Sequence, residues 1–282
     1  MKRLVLLCAW AILLAGVPEA RAARLYVDGF RYSDPAFETG IDVHFPDRPD
    51  VTGVRAVSAN GTALTLDEYM LHQFTARLGP FASFNDFHNA TVGDWQLIVG
   101  IGAGHEAGYN FLVNDFRTPF TAASFPPAPT VLSPPDGAAG VAATPTFVWD
   151  NGGPHTGAME SFFASVWSQT IPGVGVFDSS GGLFTLDTTT WTPPIVLPNG
   201  LATFLVQYET NENEDANVGT PVFNPGLSNI NDPRIDWTGS SGDLFSRDLI
   251  DFTVVPEPGT AAALAFGGLC LLAYAWRKRR RR

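Results

Sequence analysis

The sequence predicts an all-β protein: two antiparallel β-sandwich domains flanked by an N-terminal signal peptide and a single C-terminal transmembrane helix. Three observations predict it. Apolar and polar residues alternate in short runs, the period of a half-buried strand rather than of a helix. Turn-forming clusters drawn from 28 glycines and 22 prolines separate the runs. Hydrophobic residues make up 45% and charged residues only 16%, which supplies cores without the charged faces of helical bundles.

Residues 1–22 read as the signal peptide. Lys2 and Arg3 form its charged start, residues 4–14 its apolar stretch, and Ala20 and Ala22 its small-x-small cleavage positions. Signal peptidase is expected to cut after Ala22, so that the mature chain begins at Ala23. A membrane anchor is the alternative, but about a dozen apolar residues are too few to span a bilayer.

Residues 23–124 form the first expected sandwich. GIDVHF alternates Ile41, Val43 and Phe45 with Asp42 and His44, and DWQLIV and YNFLVNDF alternate in the same way. Asn60-Gly61 lies between two strand-like runs and signals a type I′ hairpin. Residues 66–78 are ambiguous between strand and helix.

Residues 125–140, FPPAPTVLSPPDGAAG, carry five prolines and read as a stiff connector and entry to a second domain. Residues 141–254 form that domain, with strand-like runs at PTFVWD, SFFASVWSQ, GLFTLD, ATFLVQYET and RDLIDFTVV. SPPDGAAGVAATPTFVWD resembles the opening of fibronectin type III and related immunoglobulin-like modules, which implies a first strand delivering Trp149 to the core. Trp149, Trp167 and Trp191 are expected to pack in the core and its rim rather than form a sugar platform.

Between Ala23 and Trp276 there are 8 basic and 27 acidic residues, a net charge of −19. Such a body is repelled by nucleic acid, which is excluded as a partner. The two cysteines, Cys8 and Cys270, both lie in apolar terminal segments. The exported body therefore has no disulfide, zinc-thiolate site or cysteine nucleophile.

Residues 255–282 have an order of their own. Pro256 and Pro258 forbid a regular helix or central strand around Glu257, and 17 uncharged residues follow at 260–276. As a helix these reach about 25 Å, enough for a thin bilayer. Tyr274 and Trp276 fall at the inner boundary. The run Arg277, Lys278, Arg279, Arg280, Arg281 and Arg282 then acts as a cytoplasmic stop-transfer signal.

This order resembles the PEP-CTERM sorting signal of Gram-negative bacteria. The resemblance implies that Pro256, Glu257 and Pro258 are recognition residues for an exosortase, an integral-membrane protease-transpeptidase. It also implies an inner-membrane-anchored precursor with its body in the periplasm, then the cell surface or the extracellular matrix after processing. A plain C-terminal anchor that is never cut is the alternative.

Other fragments suggest chemistry more weakly. GAGHEA, residues 102–107, fits a dinucleotide fingerprint, but another strand follows it where a helix is needed, so a hairpin loop is expected. The five histidines show no metal-binding spacing, and there is no G-x-S-x-G elbow or P-loop. NENEDANVG supplies Glu212, Glu214 and Asp215 as oxygen ligands for calcium, the one cofactor the sequence suggests. It lacks the ordered EF-hand pattern, and a solvated acidic loop has the same composition.

Two function classes follow. One is a non-catalytic envelope or matrix protein that meets extracellular polysaccharide or other surface proteins. The other is a secreted carbohydrate-active hydrolase or lectin with a loop-built site. Convergent carboxylates or an exposed aromatic row in a deep cleft would favour the second.

Overall fold

The computed structural model describes residues 22–34, 36–46, 48–154, 159–178, 186–210, 217–231 and 235–255. Among these residues the protein is all-β apart from one short α-helix. Strands β1 (Ala23–Tyr32), β2 (Phe37–His44), β3 (Val51–Val57), β4 (Ala63–Met70) and β5 (Gln73–Phe81) precede helix α1 (Phe84–Thr91). Strands β6 (Gly93–Ile101), β7 (His105–Val113), β8 (Thr130–Ser133), β9 (Ala138–Val141), β10 (Phe147–Asp150) and β11 (Met159–Ser168) follow it. Next come β12 (Gly175–Asp178), β13 (Thr190–Trp191), β14 (Gly200–Thr210), β15 (Val222–Phe223), β16 (Trp237–Ser241) and β17 (Leu244–Val254).

The chain divides into two compact units that are not consecutive in sequence. The first comprises the described residues of Met1–Phe30, Ala36–Ser124 and Glu212–Leu244, and the second those of Arg31–Pro35, Phe125–Asn211 and Phe245–Arg282. Residues 217–231 and 235–244, read from sequence as part of the second domain, thus pack with the first unit. Pairing rather than composition places them there: β16 runs parallel to β1, with Ala23 opposite Trp237 and Tyr26 opposite Ser241.

In the first unit the strands follow the order β1-β2-β5-β4-β3-β6-β7-β15, with β16 beside β1. Alternation decides which residues go inward. Leu25 and Val27, Ile41 and Val43, and Trp95, Leu97 and Val99 are all fully buried. α1 plugs one end with Phe87, whose ring lies 5.8 Å from Phe37 and 6.2 Å from Phe120. The helix starts at Ser83, whose Oγ accepts from the Asp86 N–H at 3.2 Å.

Two local expectations change and a third holds. Residues 66–78 belong to β4 and β5, joined at a tight turn where His72 has φ 60°, and not to a helix. Buried Leu66, Phe74 and Leu78 follow the strand period. The Asn60-Gly61 hairpin forms, but its loop spans residues 58–62 and only Gly61 there has positive φ, 86°. Asn60 Oδ1 accepts from Ser58 Oγ and the Thr62 N–H at 2.7 and 3.1 Å, and this side-chain bonding replaces a type I′ turn. GAGHEA supplies the loop of the β6–β7 hairpin at residues 102–104 and the first three residues of β7, with Ile101 opposite His105.

In the second unit, one sheet has the order β12-β11-β14-β17 with β9 beside β17, and a second has the order β13-β10-β8. They share one core, in which Phe147 and Trp149 of β10 meet Phe162, Phe204, Tyr208, Ile250 and Phe252. The Tyr208 hydroxyl donates to Asn151 Oδ1 at 2.6 Å, and burial pushes the phenol up to about 12. The sheets are mixed rather than purely antiparallel, since β9 is parallel to β17 and β16 to β1.

No helix among the described residues is long and apolar enough to cross a membrane. The expected helix at 260–276 lies outside the described residues.

Candidate functional site: an open sheet face and the end of the last strand

β1, β2, β5 and β4 each turn one set of side chains to the core and the alternate set to the opposite face. That face receives Arg24, Tyr26 and Asp28 from β1, Asp42 and His44 from β2, Thr75 and Arg77 from β5, and Asp67 and Tyr69 from β4. Register sets the rungs: Gly40 lies opposite Arg77, and Asp42 opposite Thr75, which in turn faces Asp67.

Each rung has its own character. The Tyr26 and His44 rings lie 5.2 Å apart at 55°. The Arg77 guanidinium sits 4.2 Å from the centroid of the Phe30 ring, a cation–π contact. Gly40 makes room for it, since a Cβ there would come within 1.8 Å of Arg77 Nη1 and 2.7 Å of Phe30 Cε2.

Asp28 and Asp42 lie between those two rungs. Asp28 accepts from the Asp243 N–H at 3.2 Å. Burial nevertheless pushes its carboxyl up to about 8, with the charges of Asp42 and Asp243 acting in the same direction and the hydrogen bond and Arg77 opposing. Burial also lowers His44, helped by the positive charge of Arg24 and opposed by Asp42. Tyr69, half exposed at 50%, is raised by partial burial and by Asp42.

Among the described residues the side chains of Arg24, Tyr26, Asp42, Tyr69, Thr75 and Arg77 make no hydrogen bond to protein. The face therefore presents donors, acceptors and rings whose capacity is open to a ligand. Beside it, between β1 and β16, is a cavity of about 270 Å³ lined by Arg24, Tyr26, Thr238 and Ser241. Another cavity of the first unit, about 550 Å³, is lined by residues of the loop after β7, among them Arg117, whose Nη1 donates to the Ser124 carbonyl at 3.3 Å. Asp28 and Asp42 line neither cavity.

No sequence motif marked this face. Asp28 and Asp42 are brought together by the β1–β2 hairpin, and alternation could have found them only once that pairing was known. Of the residues singled out by sequence, Ala23 opens β1, is buried, and donates its N–H to the Asp236 carbonyl at 2.8 Å. Ala22 lies just before that strand. Ala20, the tripeptide Pro256, Glu257 and Pro258, the basic run 277–282 and the acidic residues Glu212, Glu214 and Asp215 lie outside the described residues. Among the described residues no group of three or more His, Cys, Asp or Glu side chains is arranged to hold a metal ion. His88 Nε2 instead pairs with Asp115 Oδ1 at 2.8 Å, on the outside of α1.

The other functional feature is the end of β17. Val254, its last residue, is 2% exposed, and the next residue, Val255, donates its N–H to the Val141 carbonyl at 3.0 Å. The folded second unit thus reaches to the residue before the tripeptide.

No curated protein matches the chain. Residues 254–281 match the PEP-CTERM protein-sorting motif. The chain therefore carries a C-terminal PEP-CTERM sorting signal, the mark of an exported protein held in the membrane as a precursor and sorted to the surface through an exosortase-type enzyme.

Proposed function

We propose that this chain is a non-catalytic protein of the cell envelope or extracellular matrix, built from two β-sandwiches, whose first unit holds extracellular polysaccharide on its open sheet face. Signal peptidase removes residues 1–22, the body folds in the periplasm, and the exosortase-type enzyme passes it to the outer surface. The observation that carries this reading is the sorting motif at 254–281.

The face supports the binding part. Sugar hydroxyls need both donors and acceptors, and Arg24, Arg77 and His44 stand beside Asp42 and Thr75. Tyr26 and Tyr69 add rings for the apolar faces of pyranose units. A body charge of −19 favours a neutral polysaccharide over a polyanion. Asp28 and Asp42 lie on a sheet face and line neither cavity described above, which favours holding a chain over cutting one.

A carbohydrate-active hydrolase is the second reading. Asp28, raised to about 8 beside Asp42, is the one observation that favours it, because a carboxyl protonated at neutral pH is a general acid.

Two measurements test the proposal. Glu257→Ala should leave uncut precursor in the inner membrane of a host that has the sorting enzyme, and a surface-located variant would count against sorting through the tripeptide. Purified body should bind neutral polysaccharide on a glycan array without releasing reducing ends, and the double change Tyr69→Ala, Arg77→Ala should weaken binding about tenfold. New reducing ends that vanish in Asp42→Asn would establish the hydrolase instead.

A further inference from the structure

The sorting motif begins inside the fold. Its first matched residue, Val254, is also a core residue of the second unit, next but one to Phe252 at 1% exposed. β17 lies between β14 and β9. On the β9 side the ladder is parallel, with Phe252 opposite Ala138, Thr253 opposite Ala139 and Val254 opposite Val141. The Val255 N–H extends this hold one residue further, to the Val141 carbonyl.

The turn that leads into β9 is tied to the same strand. The Gly137 N–H donates to the Asp251 carbonyl at 2.7 Å, and the Asp251 N–H donates to Asp136 Oδ1 at 2.9 Å. β9 is thus fastened along β17 from Asp251 to Val255.

A protease reads its substrate as an extended segment, pairing with the backbone and taking up the side chains. Along residues 251–255 the backbone is already paired with β9, and the side chains of Phe252 and Val254 are in the core. Reach sharpens the point. Only residues 256–259 separate Val255 from the apolar run, and four residues extend at most about 14 Å. An enzyme working at the membrane therefore meets the folded end of β17 directly.

We propose that β17, clamped by β9, is a stop for processing: the enzyme that reads the motif cuts C-terminal to Val255, and the processed protein keeps its last strand whole. In that step one peptide bond breaks, its acyl group passes to water or to an acceptor amine, and the amino group leaves with the C-terminal fragment. The inference rests on the sorting reading above and adds the limit that the fold places on it.

The test is to map the C-terminus of the full chain, matured in a host that has the sorting enzyme, by mass spectrometry of its terminal peptide. Wild-type protein should end at or beyond Val255. Val254→Asp, which frees the strand end, should give ragged ends upstream of Val255. Asp136→Ala, a milder change that removes the partner of the Asp251 N–H, should give the same ragged ends in part of the population. A wild-type end at or before Val254 overturns the stop alone, as do variants that all end where wild type does. A chain that still carries Trp276 and the arginine tail overturns the sorting reading and the stop with it.

Discussion

Phe147 and Phe204 stack in the second unit with ring centroids 3.8 Å apart and planes 8° from parallel. They come from β10 and β14, which belong to its two sheets, so the pair joins one sheet to the other. Trp149 and Trp191 flank Phe204 at 6.0 and 6.2 Å. Phe204→Ala should cost about 3–5 kcal/mol, since the cavity left among fixed aromatic rings does not refill. Chemical denaturation of the purified body measures it, and a loss below about 1 kcal/mol would show that the sheets are held elsewhere.

Asp28 makes stability depend on pH in a direction opposite to a salt-bridged carboxylate. Its folded-state value of about 8 is above its ordinary 3.8, so between the two the native chain holds a proton that the unfolded chain has released. Stability is therefore greatest below the lower value, falls as pH rises toward the upper one, and is level beyond it. Asp28→Asn keeps an acceptor for the Asp243 N–H and removes the slope. The variant should melt with wild type near pH 3 and clearly above it near pH 9. Equal melting of the two proteins at about pH 9 would mean that Asp28 is not held protonated.

Gly40→Val tests how the sheet face is built. The new Cβ would occupy the place of the Arg77 guanidinium, whose side chain is exposed and free to swing away. The new side chain also meets the buried Phe30 ring, 2.7 Å from the Cβ position, so the loss in stability should be about 1–3 kcal/mol. Polysaccharide retention on an affinity column should fall as far as it does in Arg77→Ala. Retention unchanged in both variants would remove Arg77 from the binding face.

How much of this was legible depends on the range of the interaction. Alternation placed Ile41, Val43, Trp95 and Leu97 in the core correctly, because that period is written into each strand separately. α1 was missed since it is eight residues long and mostly polar, although Ser83 with Asp86 three positions later is a start signal. Residues 66–78 were ambiguous because Asp67, Glu68, Tyr69 and Met70 are all exposed, which leaves Leu66 the one buried side chain of β4 and no alternation to follow. The union of β16 with the first unit had no sequence signature, since nothing in WTGSS at 237–241 names Ala23 as a partner. The face itself was hidden for the same reason: its residues come from four strands, and each alone is an ordinary polar position.

The parallel ladder of β1 with β16 governs the timing of export. A secreted chain crosses the membrane from its N-terminus, so β1 arrives early and waits for a neighbour that follows only after residues 125–211 have passed. Contacts this far apart form slowly, and an unpaired strand is prone to wrong association in the interval. β17 then arrives last of the described strands, just ahead of the tripeptide. Both units are thus completed only once this strand has crossed, so the topology favours export in which the early strands are kept from wrong association until their late partners arrive.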